Sequence, residues 1–122
     1  MSAPSPLRAF VKLLVLDLDA SVAFYEALGF SRVAADGSVV HLRWQEAGDV
    51  LLVGVPRGVS FEGRRGWGVL VGFTSSTDVE ALAERARALS APVQGPEVQP
   101  WHTKDVIVTD PDGYRLNFVQ QA

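Results

Sequence analysis

The order β-α-β-β-β is written twice in this chain, at a spacing of about 55 residues, and that limits the fold more than any single element does. In the first copy, Phe10 to Leu16 is an apolar run of β type with one lysine in it, the pattern of a strand covered on both faces. Asp19 is placed to cap a helix over Ala20 to Leu28. Val22, Tyr25 and Leu28 recur there at helical spacing, and Gly29 suits the position just past the end. Asp36-Gly37 between β-rich runs predicts a tight hairpin whose second arm is Val39 to Trp44. Gly48-Asp49 turns the chain again, and Val50 to Val55 is a further strand.

Pro56 to Gly66 is rich in Gly, Pro and Arg and lacks apolar periodicity, so it reads as a linker or mobile flap. The pattern then restarts. Gly68 to Thr74 is a strand, and Thr77-Asp78-Val79-Glu80 matches a capping box with Thr77 as the cap. Val79, Leu82, Ala86 and Leu89 form one helical stripe, which Pro92, Gly95 and Pro96 terminate. A short extended piece leads into a closing hairpin around Asp110-Pro111-Asp112-Gly113. Proline presets φ there, aspartate can bond its own backbone, and glycine tolerates positive φ.

Neither half can bury both faces of a sheet alone. Side by side, the halves predict an α+β fold, a curved mixed sheet of eight strands shaped as a cup, with the helices on its outer face. The concave face would be the place for a small molecule. The chain length gives one domain over 1–122, with repeat one at about 7–55, a linker at 56–66 and repeat two at about 67–122.

Composition removes several function classes. A net charge of −3 with scattered basic residues argues against nucleic acid as a partner. The absence of cysteine excludes disulfides, thiolate chemistry and cysteine-ligated metals. The polar, proline-containing start lacks a basic n-region, and the apolar run after it ends at Asp17, too short for a signal peptide or a membrane span. The expectation is a cytoplasmic protein with no membrane partner.

The stretches 15–30, 68–90 and 101–116 resemble the glyoxalase, bleomycin-resistance and extradiol-dioxygenase superfamily, the vicinal oxygen chelate proteins. Phe24-Tyr25 with Leu28-Gly29-Phe30, and Asp110-Pro111-Asp112-Gly113, carry the resemblance in register with the two βαβββ units. The resemblance implies a divalent metal in the family's enzymes, held by four side chains. Those positions fall here on Phe10, Leu52, Val69 and Asn117. Three offer a metal nothing, and asparagine offers one neutral oxygen. The implied protein has the fold without the metal site, takes no cofactor, and is closest to the metal-free bleomycin-resistance branch, whose members are homodimers with ligand clefts between subunits.

Strand alternation from those positions predicts a lining of Phe10, Lys12 and Leu14, then Val50 and Leu52, then Trp67, Val69, Val71 and Phe73, and finally Arg115, Asn117 and Val119. Trp67 and Trp101 are candidates for ligand stacking, with core or dimer-interface packing as the competing assignment. Trp44 is assigned to packing. His102, with Lys104, is placed on the face of Asn117, where it reaches a ligand or sits hydrated at the rim; His41, beside Arg43, reads as surface or rim. Arg64-Arg65 reads as solvated charge or a lid contact, and Asp110 and Asp112 are assigned to the turn rather than to catalysis. The ligand-binding set is therefore Phe10, Lys12, Leu52, Trp67, Val69, Trp101, His102 and Asn117, with no catalytic or metal residue. The leading function is sequestration of an aromatic or hydrophobic, antibiotic-like molecule. The alternatives are a lyase, isomerase or oxygenase using His41 or His102 with Glu46 or Asp49 in a displaced metal site, and a partner domain with a closed cavity.

Overall fold

Alternation in the first strand sets the layering. The structure, a computed structural model, describes residues 9–56 and 66–121; Arg64-Arg65 and most of the linker lie outside them. In β1 (Phe10–Val15), Leu13 and Val15 are buried while Phe10, Lys12 and Leu14 are exposed, so the strand is covered on one face rather than on both, and the lysine marks the face away from the helix. Leu13 and Val15 join one core cluster with Val22, Phe24, Tyr25 and Leu28 of α1 (Leu18–Leu28). The helix begins earlier than predicted. Asp17 rather than Asp19 is its cap, its Oδ1 accepting the Ala20 amide at 3.1 Å, while Asp19 adds negative charge to the first turn, where the helix dipole favours it.

Three strands complete the repeat: β2 (Ser31–Asp36), β3 (Val39–Trp44) and β4 (Gly48–Gly54), in the sheet order β1-β4-β3-β2. The pair β1–β4 is parallel and the others are antiparallel. Gly48 and Asp49 are part of β4 rather than a turn before it. The second repeat has the same plan: β5 (Val71–Thr74), α2 (Val79–Ala88), β6 (Val93–Val98), β7 (Thr103–Thr109) and β8 (Arg115–Gln121), in the order β5-β8-β7-β6. The fold is therefore α+β, two βαβββ units whose strands hydrogen-bond as two four-stranded mixed sheets.

In the second repeat β5 is shorter than the predicted 68–74. The α2 cap is Asp78, which accepts the Glu80 amide at 3.1 Å; the predicted cap Thr77 instead accepts the Gln45 side-chain amide at 3.2 Å. The extended piece after the helix is β6, which pairs with β7 across an irregularity between Gln94 and Glu97. Gly95 sits there at φ +92, and a Cβ on it would lie 2.9 Å from the Asp105 carbonyl oxygen. Only glycine fits that position.

Aromatic rings fill the seam between the repeats. Phe30 lies 5.1 Å from Trp44 and 5.4 Å from Phe73, and Trp44 lies 5.0 Å from Phe118, all between ring centroids. Such tilted and edge-on pairs add roughly 0.5–1.5 kcal/mol each beyond area burial. Arg85 of α2 donates across the seam to the Leu28 carbonyl at 2.9 Å, and turns bond across it at two joints. At the first, the β7–β8 turn meets repeat one: Asp112 accepts the Leu16 amide at 3.0 Å and the Ser21 hydroxyl at 3.2 Å, and Asp110 accepts the Tyr25 hydroxyl at 2.6 Å. At the second, the β3–β4 turn meets repeat two: Trp44 Nε1 donates to the Thr74 carbonyl at 3.1 Å, and Gln45 Oε1 accepts the Ser76 amide at 3.0 Å. Among the described residues, no helix is long and apolar enough to cross a membrane.

Candidate functional site

Each sheet has one face against the core and one open face, and residues paired across strands share a face. On the N-terminal sheet, Lys12, Leu51 and His41 form one row across β1, β4 and β3, and Phe10, Asp49 and Arg43 form the next. Leu52 pairs with Leu13 instead, is fully buried in the core, and so faces away from Phe10 and Lys12. Val50 is equally buried. The predicted lining is corrected at both positions, and Leu51 and Val53 take their place on the open face. Because β4 runs Val50-Leu51-Leu52-Val53, it is apolar on both faces, and a slip of one residue is invisible in its pattern.

The same correction applies to β5. Phe73 pairs with Phe118 and stacks on it inside the core, and Val71 packs against that cluster. Gly72 and Thr74 share the open face with Asn117 and Val119. Lys104 also points away from Asn117, toward α2, where its Nζ lies 2.8 Å from Glu80; that contact raises the lysine pKa. Trp67 and Val69 precede β5 and are exposed, and Trp101 and His102 occupy the exposed turn between β6 and β7. The eight predicted residues are thus dispersed. Phe10 and Lys12 share one open face, Asn117 lies on the other, the four residues before β5 and in the β6–β7 turn are on neither strand face, and Leu52 is core.

Two features emerge on the open faces. The first is a carboxylate that meets two donors among the described residues. Asp49 is 5% exposed, and its Oδ1 meets His41 Nε2 at 2.8 Å and Arg43 Nε at 2.7 Å. His41 and Arg43 are legible as same-face neighbours and Asp49 as a carboxylate near His41, but a turn at Gly48-Asp49 leaves Arg43 out of the group, which the β3–β4 pairing assembles. The second feature is Asn117, whose Oδ1 is buried and has no hydrogen-bond partner among the described residues. A buried carbonyl oxygen without a donor carries a penalty of roughly 1–3 kcal/mol.

Elsewhere, burial drives the pKa of Tyr25 well up, with Asp110 adding to the effect. Burial also raises Asp110, partly opposed by the bonds it accepts from Tyr25 and from the Tyr114 and Asp112 amides. This pair belongs to the joint between the repeats. A cleft of about 620 Å³ lies at the other joint, lined by Trp44, Gln45, Gly48, Gly72, Phe73 and Thr74 among others. None of the eight predicted residues lines it.

The residues present do not suit a metal. Phe10 and Val69 have no donor atom, Leu52 lies in the core, and Asn117 supplies one neutral oxygen. Among the described residues, no three His, Asp or Glu side chains converge as a metal site, so the His41–Asp49 pair lacks the third ligand that such a site needs.

The family model described as the Glyoxalase/Bleomycin resistance protein/Dioxygenase superfamily matches residues 8–118. A comparison with curated proteins found no match. Among solved structures, an integron cassette protein from the mobile metagenome of the Halifax Harbour sewage outfall is 24% identical, with a TM-score of 0.71, covering 93% of this chain and 97% of that one. A bleomycin-binding protein, solved in complex with bleomycin, is 21% identical with a TM-score of 0.70, over 96% and 100% of the two chains. A bleomycin resistance determinant encoded on the transposon Tn5 is 22% identical with a TM-score of 0.68, over 95% and 98%. At these identities the likeness is one of fold.

Proposed function

The chain belongs to the glyoxalase/bleomycin resistance protein/dioxygenase superfamily, and from that premise we propose that it binds a small organic molecule and sequesters it without a metal. The observation that carries the reading is Asn117. Where the resemblance puts a metal ligand, this chain has a neutral amide on an open sheet face with a buried, unpartnered oxygen. A ligand N–H or O–H there gains a hydrogen bond that the protein alone does not make. Exposed Phe10, Trp67 and Trp101 supply aromatic surface for the ligand's apolar body. The fold likeness to proteins that bind or resist bleomycin supports an aromatic, antibiotic-like ligand.

In this reading the protein acts in the cytoplasm as a homodimer, whose second copy covers the open faces that one chain leaves exposed. Isothermal titration with bleomycin and a panel of other aromatic compounds tests it, with sedimentation to give the oligomeric state. Saturable binding that weakens about tenfold in Asn117→Leu is expected, which is the scale of one buried hydrogen bond. No binding across the panel overturns it. The His41–Asp49 pair is the observation that favours an enzyme instead; metal-dependent turnover lost in His41→Ala would establish that alternative.

A further inference from the structure

The open face of the N-terminal sheet is positive at its centre, in a chain whose net charge is −3. His41 and Arg43 bond the buried carboxylate of Asp49, and Lys12 stands on the same face in the row of His41. Asp36, the other carboxylate of this face, stands on the edge strand β2, one row beyond His41, where it is exposed and screened by solvent. Arg43 spends only its Nε on Asp49. Among the described residues both of its terminal nitrogens are without a protein partner, and Lys12 has no ion pair.

We propose that this face is a carboxylate subsite, in which Arg43 receives the carboxylate of a planar organic acid end-on, with Lys12 beside it and Phe10 against the ligand's ring. The inference rests on the small-molecule reading above and names the ligand's chemical class. A guanidinium anchored through Nε keeps the forked outer edge that matches a carboxylate's two oxygens. Asp49 is a positioning residue: its bond to Nε orients the plane of the fork, and His41 holds the same oxygen from the other side. Phe10 lies directly across from Asp49 on β1 and is 56% exposed, so its ring is available to the ligand. Strand and residue spacings make the patch about 10 Å by 7 Å, the footprint of a one- or two-ring acid.

Three probes with the same ring and different charge test this on the full chain: 2-naphthoate, 2-naphthalenemethanol and 2-naphthylmethylamine, titrated calorimetrically. Naphthoate should bind at least tenfold tighter than the other two. Arg43→Gln should remove that preference and leave the alcohol unchanged. Because Arg43→Gln disturbs a buried carboxylate, Lys12→Gln, at an exposed position, is the second variant; it should weaken naphthoate severalfold with the melting temperature unmoved. Amide shifts on naphthoate binding should cluster on β1, β3 and β4. Equal affinity for the alcohol or the amine, or both variants leaving naphthoate unaffected, overturns the subsite. If naphthoate fails while another aromatic of the earlier panel binds, the subsite falls and the binding reading stands. If no compound binds, both fall.

Discussion

At one joint between the repeats, the β7–β8 turn reaches the start of repeat one; at the other, the β3–β4 turn reaches the start of repeat two. In both, a turn side chain satisfies a backbone amide between the first strand and the helix of the opposite repeat. Asp112 does so for Leu16, and Gln45 for Ser76. The chemistry differs. The first joint uses two carboxylates and a buried tyrosine, with Asp110 4% exposed. The second uses a neutral amide, an indole N–H and the close packing of Gly48 on Phe73. The repeat therefore preserves geometry while leaving the bonding groups free to vary. Through Tyr25 and Asp110, the first joint ties its stability to ionisation.

The first joint is most sensitive at Asp110. Asp110→Ala strips the Tyr25 hydroxyl and the Asp112 and Tyr114 amides of their acceptor, which should destabilise the protein by about 4 kcal/mol in urea unfolding. Gly48→Ala attacks the second joint. Its Cβ would sit 2.7 Å from Phe73 Cδ1 and 2.9 Å from Trp44 Cβ, so about 2 kcal/mol of overpacking strain is expected, read by the same denaturation.

Tyr25→Phe is milder, at about 1.5 kcal/mol, because the turn amides still bond Asp110. It also tests the pH asymmetry. Burial and Asp110 hold the Tyr25 proton in the fold, whereas an unfolded tyrosine ionises near pH 10. The native state then binds more protons than the unfolded one, so stability falls as pH rises above about 10. Tyr25→Phe should flatten that alkaline decline, measured as melting temperature against pH. Gln45→Ala should cost least, about 1 kcal/mol, because both of its bonds are exposed. It should leave the alkaline slope unchanged.

Much of the architecture was legible in the sequence. The doubled βαβββ order, the two helices and the turns at Asp36-Gly37 and at 110–113 follow from local chemistry, whereas the caps are Asp17 and Asp78 rather than Asp19 and Thr77, and Gly48-Asp49 is strand. Asp110 and Asp112 were rightly assigned to a turn, but a turn reading cannot show that the same carboxylates reach Tyr25 and Ser21 more than eighty residues away in sequence. The candidate site was legible only in part. On β1 the face that the resemblance turns toward the cavity, Phe10, Lys12 and Leu14, is the exposed one. In β4 both faces carry apolar side chains, so its pattern leaves the face of Val50 and Leu52 open; in β5 the apolar face of Val71 and Phe73, which the resemblance turns toward the cavity through Val69, packs into the core instead.

Residue type and short spacing are enough to give the repeat, the Asp36-Gly37 and Asp110-to-Gly113 turns, and the poverty of donor atoms at Phe10, Leu52, Val69 and Asn117. Tertiary structure alone decided which face each strand presents, that Asp49 meets His41 and Arg43, and that Asn117 Oδ1 is buried without a donor. The physical reason is that side-chain direction alternates with every residue, so register across strands, rather than composition along one strand, assigns a group to the site.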